Sequence, residues 1–308
     1  MLLFVMSVIF FALTRLTPGP PLSVGENPKL HQDMVDRRLH NMGLDKPWYE
    51  QYPGYLGALL HGNLGDSYQY NKPVTKLLAE RVPNSVLLLL TSLLLSLAIA
   101  VPLGVFAATR QYSKVDMATS LISYIGISVP SFVLGLFLLM FGAVYLRKWT
   151  GGGFSFPLFG MHQGDDTSIT DLVWHMVLPV TSLAVLTIAG YSRYMRSSML
   201  EVLHQDYIRT ARAKGLSNRV VNYKHAMRNA ILPIITLVAL SIPQQVSGAI
   251  ITEGIFSWPG MGLLAFQATV TRDYPVILGV VMLVAALTVL FNLLADVAYA
   301  VVDPRIRY

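Results

Sequence analysis

Cysteine is absent from the sequence. Structural disulfides, thiolate catalysis and Cys-ligated zinc or iron–sulfur centres are therefore excluded. Charge is scarce as well. Asp, Glu, Lys and Arg make up 13% of the 308 residues, against about 25% in soluble domains. No G-x-x-x-x-G-K-[ST] loop occurs, so the chain lacks that device for holding ATP. H-E-x-x-H and G-x-S-x-G are missing too. The histidines (His31, His40, His61, His162, His175, His204 and His225) show no i, i+4 pair of the kind that ligates metal. No catalytic residue and no metal site is expected.

Apolar residues are abundant. They form 54% of the chain, and mean hydropathy is +0.52. A soluble globule of this size could not bury so much apolar surface, so the class is a polytopic membrane protein. A hydrocarbon core of about 30 Å needs about 20 helical residues. Five runs qualify: 85–109, 117–146, 172–191, 230–252 and 275–302. The run 117–146 is long enough to be tilted or only partly embedded. Residues 1–14 are apolar but short. They read as the back part of a first transmembrane helix whose start would lie upstream of Met1. Pro102, Pro130, Pro179 and Pro243 interrupt the runs, and such kinks are tolerated in membranes.

The net charge of +6 could mean nucleic acid or a membrane surface. The loops decide for the membrane. Residues 110–116, 192–229 and the tail after 302 hold 12 of the 23 Lys and Arg. This dense face is cytoplasmic by the positive-inside rule. Six spans then place both termini inside, in a multi-pass protein of the inner or plasma membrane, with no nucleic-acid partner. Residues 15–83 lie outside. Leu39, Met42, Leu44, Trp48, Tyr49, Tyr52 and Tyr55 suggest a small cap with short helices there. His175 opens a span near the outer interface, where a hydrogen-bonded role is expected. Asp296 is the sole acid inside a span, with Asn292 one turn earlier on the same face.

The longest cytoplasmic loop contains Asp206-Tyr207-Ile208-Arg209-Thr210-Ala211-Arg212-Ala213-Lys214-Gly215. Asp206 suits an N-cap. Gly215 suits the position after a helix, where φ is positive. About two helical turns with small residues lie between. Such a helix could rest on an anionic membrane surface or dock a cytoplasmic partner.

A resemblance favours docking. The stretch 206–233 resembles the cytoplasmic signature of binding-protein-dependent ABC importer permeases: E-A-A, three residues, Gly, then I-x-L-P. Here Arg209-Thr210-Ala211 stands at E-A-A and Gly215 is in register, a form similar to the oligopeptide/dipeptide subfamily. His225 to Pro233 continues the match. So do Thr252 to Gly262, Arg272-Asp273-Tyr274-Pro275, Val302 to Arg307, Gly126 to Phe132 and Pro18-Gly19-Pro20.

The resemblance implies an all-α membrane protein of the type I ABC importer permease fold. It implies a permease core over 84–308, an external cap, and a coupling helix over 206–215 between spans four and five. It further implies a second homologous permease, two cytoplasmic ATPase subunits that bind ATP and Mg, and an extracytoplasmic substrate-binding protein delivering peptide. This chain itself would bind no cofactor. The long external loop marks it as the first permease of the pair. Glu253, Trp258, Pro259 and Gly260 would meet the binding protein at the outer rim. Nickel chelates or oligosaccharides are alternative cargoes on the same scaffold. An ion-coupled transporter acting alone is disfavoured by the single buried acid.

Overall fold

The structure, a computed structural model, describes residues 1–16, 40 and 45–302, with side chains excepted at 240, 242–248 and 295–302. Among the described residues every regular element is a helix, apart from one β-bridge between Asp66 and Pro73. The order begins with α1 (Leu2–Leu16), α2 (Trp48–Leu60), α3 (Val74–Thr109), α4 (Lys114–Ser128) and α5 (Ser131–Leu139). A π-helical segment (Met140–Tyr145) runs on into α6 (Leu146–Trp149). Then come α7 (Ile169–Leu203), α8 (Asp206–Ala213), α9 (Asn218–Val220), a second π segment (Val221–Ala226) and α10 (Met227–Ala230). The last three are α11 (Leu232–Ile255), α12 (Met261–Thr271) and α13 (Tyr274–Val302).

Among the described residues, four helical stretches are long and apolar enough to cross a bilayer: α3, Ser131–Trp149, α7 and Tyr274–Leu294. α1 and α12 are apolar but shorter. Two boundaries differ from the hydropathy reading. α3 begins 11 residues before the apolar run at 85. Its 36 residues span about 54 Å, well beyond the hydrocarbon thickness. The run 117–146 is broken at Val129, which is extended with φ −83 and ψ 122. Pro130 favours that break, because its ring disfavours the helical region for the preceding residue and it offers no N–H. Pro179, by contrast, is carried inside α7.

The chain divides into two compact units. The first comprises Met1–Ser85 and Pro259–Leu290. Its core joins Val74, Leu77 and Leu78 of α3 to Leu264 and Ala268 of α12 and Val276 and Val280 of α13. A Cβ on Gly279 would lie 2.6 Å from Val74 Cγ1, so only glycine permits that approach. The Asp273 carboxylate is buried and gathers a turn. It accepts from Ser67 Oγ at 2.5 Å and from the Tyr68 and Gln69 amides at 3.1 Å each. α2 lies on α1: Phe11 stacks on Tyr55 at 4.9 Å and meets Tyr52 edge-on at 5.5 Å. Of the residues expected to form a cap, Leu39, Met42 and Leu44 lie outside the described residues.

The second unit comprises Val86–Trp258 and the chain from Phe291. Here α3 and α7 cross at Gly104, where a Cβ would lie 2.5 Å from Met195 Cβ and 2.7 Å from the Ser192 carbonyl. Polar groups add local ties. Ser123 and Ser192 hydroxyls are 3.2 Å apart, and Tyr191 and Ser241 hydroxyls 2.6 Å apart. Asp116, in the first turn of α4, is capped by Ser113 and accepts from Arg196 Nε at 2.5 Å and Nη2 at 2.9 Å. The side chain of Asp116 is only 4% exposed. The Arg196 guanidinium holds its carboxyl below the usual range, against its burial and aided by the Tyr112 amide.

Two outcomes follow from these contacts. Gly104→Leu should destabilise the second unit by about 2–3 kcal/mol, since the crossing cannot absorb the added volume; thermal unfolding in detergent measures it. Asp116→Asn should cost about 1–3 kcal/mol at pH 7. Because the folded pKa is depressed below 3.8, the ion pair contributes fully above that value and is lost as pH falls through the folded one. The gap between wild type and Asp116→Asn should therefore persist down to about pH 4 and close below it.

Candidate functional site

The loop between α7 and α11 is built around α8. Gln205 caps it with φ −70 and ψ 149 and without a side-chain hydrogen bond. The cap is thus one residue earlier than the sequence suggests, and Asp206 instead sits in the first turn. A carboxylate there opposes the positive end of the helix dipole. At the other end the Gly215 amide donates to the Arg212 carbonyl at 3.0 Å, and the Leu216 amide to the Ala211 carbonyl at 3.4 Å. Gly215 has φ +79. This is a Schellman ending, and it favours a residue without Cβ at that point.

α8 has two unlike faces. Ile208 is fully buried and Ala211 is 7% exposed. Three residues apart, they project from one side. They pack with Met195 and Met199 of α7, Val221 and Ala226 of the π segment, Ala230 of α10 and Ile234 of α11. The Tyr207 hydroxyl accepts from Asn229 Nδ2 at 2.7 Å. Ser198 donates to the Ala230 carbonyl at 2.8 Å, tying α7 to α10. The other face is open: Arg209, Thr210, Arg212, Ala213, Lys214 and Gly215 are all exposed. Arg209 lies 3.5 Å from Asp206 with both side chains largely in solvent, a pairing worth little. Beside this face, a cleft of about 780 Å³ carries Arg110, His204, Arg209 and Arg212 in its lining and no Asp or Glu among the described residues.

Sequence reasoning singled out the ends and cations of this helix. It passed over the anchor. The signal was Ile208 and Ala211 at i, i+3 within a polar stretch. The Asn229–Tyr207 bond joins residues 22 apart and has no local signature.

The other candidates fall elsewhere. Trp258 is fully buried among Leu88, Met176 and Val180, and Glu253 is fully buried as well. The expectation that these two side chains meet an outside protein is therefore corrected: neither has surface to offer. Ser257 is exposed and Pro259 partly so. Pro259 accepts from Asn84 Nδ2 at 2.9 Å, and Gly260 is buried. His175 is buried, with Nδ1 2.9 Å from the Asp171 carbonyl, the hydrogen-bonded role foreseen for it. Asn292 is exposed in α13. The side chain of Asp296 lies outside the described residues.

If Ile208 is the anchor, Ile208→Ala should cost about 2–4 kcal/mol and loosen α8 ahead of global unfolding. Limited proteolysis between 203 and 217 would detect this as faster cleavage at unchanged helix content.

Residues 100–308 match the family described as Binding-protein-dependent transport system inner membrane component. The chain is 41% identical over 304 residues to the Oligopeptide transport system permease protein AppB of Bacillus subtilis, covering 98% of this chain and 94% of that protein. It is 38% identical over 322 residues to the Dipeptide transport system permease protein DppB of Escherichia coli K12, covering 98% and 94%. Among solved structures, a chain of the MetNI methionine ABC transporter, inward facing, superposes with a TM-score of 0.57 at 18% identity, over 74% of this chain and 97% of that one. An amino acid ABC transporter with histidines gives a TM-score of 0.52 at 16% identity, over 73% and 94%. At such identities these two establish a shared fold. On the family match and the full-length relatives together, the chain belongs to the binding-protein-dependent transport system inner membrane components.

Proposed function

We propose that the chain is a permease subunit of an ATP-driven importer that moves peptides, oligopeptides or dipeptides, into the cytoplasm. The observation that carries this is the near full-length similarity to permeases named for oligopeptide and dipeptide transport. The site supplies the physical means. α8 is buried on one face and basic on the other, which suits a rigid handle better than a loose loop.

In this proposal the chain makes six crossings, with residues 1–14 forming part of the first. Both termini are cytoplasmic, and 15–83 is external. A second homologous permease completes the path. Two ATPase subunits hold ATP and Mg, and this chain binds no cofactor. The exposed face of α8 through Gly215 seats in a groove of one ATPase. The cleft beside it, rich in Arg and without acids among the described residues, favours an acidic rim on that partner. When the ATPase pair closes, α8 moves as a body and carries α7 and α11 with it, because Ile208 and Ala211 are packed into both. A binding protein brings peptide to the external side, over residues 15–83 and the turn near Pro259.

Reversing charge at Arg209 and Arg212 (Arg209→Glu with Arg212→Glu) should abolish peptide uptake while leaving insertion and thermal stability intact, since both side chains are exposed. A mild-detergent pull-down of the tagged chain measures the cause. Wild type should recover ATPase subunits and a second permease, and the double variant should lose the ATPases only. Normal uptake in the variant would remove α8 from the coupling role.

A further inference from the structure

The segment between α6 and α7 plays no part in the proposed coupling, yet it is tied down. The Phe156 amide donates to the Gly142 carbonyl at 3.1 Å, and the Gly160 amide to the Phe256 carbonyl at 2.9 Å. This segment and the start of α7 enclose a cavity of about 460 Å³ within the second unit. That volume is in the range of small-molecule sites.

Asp171, in the first turn of α7, organises the polar part of the lining. His162 Nδ1 lies 3.0 Å from Asp171 Oδ2. His175 Nδ1 lies 2.9 Å from the Asp171 carbonyl oxygen and 3.2 Å from Oδ1. A carbonyl and an ionised carboxylate only accept, so Nδ1 carries the proton in both rings. A neutral imidazole protonated there presents a lone pair at Nε2. Neither ring has a further hydrogen bond, and neither Nε2 is sealed from open space. Both rings line the cavity. The His175 side chain is only 4% exposed, and an acceptor so enclosed is normally given a donor.

The rest of the lining is of another kind. Arg147 is exposed and has no ion pair among the described residues. Phe156 and Trp174, their rings 4.7 Å apart, supply an apolar wall. No Asp or Glu lines the cavity among the described residues. Two acceptors, one guanidinium and an aromatic wall around one space fit a molecule with an amino group, a carboxylate and an apolar side chain.

We propose that this cavity binds a free short peptide directly, without the binding protein. The peptide amino group donates to Nε2 of His162 and His175, and the Asp171 carboxylate behind the rings offsets its charge. The peptide carboxylate pairs with Arg147. An apolar side chain lies on Phe156 and Trp174. The proposal rests on the cargo being peptide and adds a recognition step within the permease itself.

Equilibrium binding of radiolabelled phenylalanyl-alanine to the complete complex in lipid nanodiscs, without binding protein or ATP, tests it. Wild type should bind the dipeptide. Acetylating its amine or amidating its carboxylate should each weaken binding about tenfold, the loss of one charge-assisted contact. Arg147→Gln should weaken the parent dipeptide about tenfold and leave the amidated one unchanged. His162→Phe should weaken the parent and leave the acetylated one unchanged. A general loss of structure would not produce these crossed patterns. Lys148→Gln, at an exposed neighbouring cation, should change nothing. Variants that lose all three peptides equally, or none, would overturn the proposal. So would a wild-type complex that binds no dipeptide yet imports it normally with its binding protein, which would leave the peptide reading standing. A complex that imports no peptide even with its binding protein would overturn that reading and the proposal with it.

Discussion

The exposed basic face of α8 depends on two apolar side chains, Ile208 and Ala211. An eight-residue helix does not persist in water by itself, because nucleation costs more than so few hydrogen bonds return. Burial of Ile208 contributes about 1.5–3 kcal/mol, comparable with the deficit of a short helix. The basic residues of α8 do not hold it in place: the Arg209–Asp206 pair is exposed and contributes little. Buried anchor and exposed charge are thus separated by face. The apolar side fixes the helix to α7, α10 and α11. The polar side stays exposed, so in the proposed mechanism its charges can be spent on another molecule.

The helices beneath must be stiff for such a handle to work, and the stiffness has a steric origin. Lipid tails are as apolar as leucine, so the hydrophobic effect does not press membrane helices together. Close van der Waals approach and hydrogen bonds do. Gly104, Gly142 and Gly279 each stand where a Cβ would come within 2.5 to 2.8 Å of a neighbouring side chain. The hydroxyl pairs Ser123–Ser192 and Tyr191–Ser241 contribute less, roughly 0.6 kcal/mol apiece. Asp116 and Arg196 act differently. They clamp the start of α4 to α7 next to the basic loop, where water is close enough to limit the desolvation cost of the pair.

Much of this was legible in the sequence, and the gaps have physical reasons. Hydropathy located the apolar helices because the bilayer imposes length and composition directly. Gly215 was readable because glycine is the residue type that adopts φ +79 at a helix end most readily. The break at Val129 was half visible: Pro130 was noted as a kink, but its effect on the residue before it turns one long run into two helices. The extension of α3 upstream of 85 was hidden, since residues 74–84 are polar on one side and find their apolar contacts on α12 and α13, near 200 residues away. Glu253 and Trp258 misled for the same reason. A Glu and a Trp beside Pro-Gly look like an exposed rim, and only tertiary packing buries them. The Ser67–Asp273 bond, between residues 206 apart, belongs to the same class of information.

The π segment Val221–Ala226 joins these themes. In an α-helix, residues five apart diverge by about 140°. Val221 and Ala226 are nonetheless both fully buried in the core that holds Ile208. The wider turn accommodates this by giving up the regular i, i+4 ladder over one turn. Such segments recur at functional sites, and this one lies between α8 and the start of α11. An α-helical turn here would rotate one of the two side chains out of the core and weaken the packing around Ile208. The local irregularity is therefore the condition for a tight anchor, and in the proposed mechanism it lets displacement of α8 reach α11 without slack.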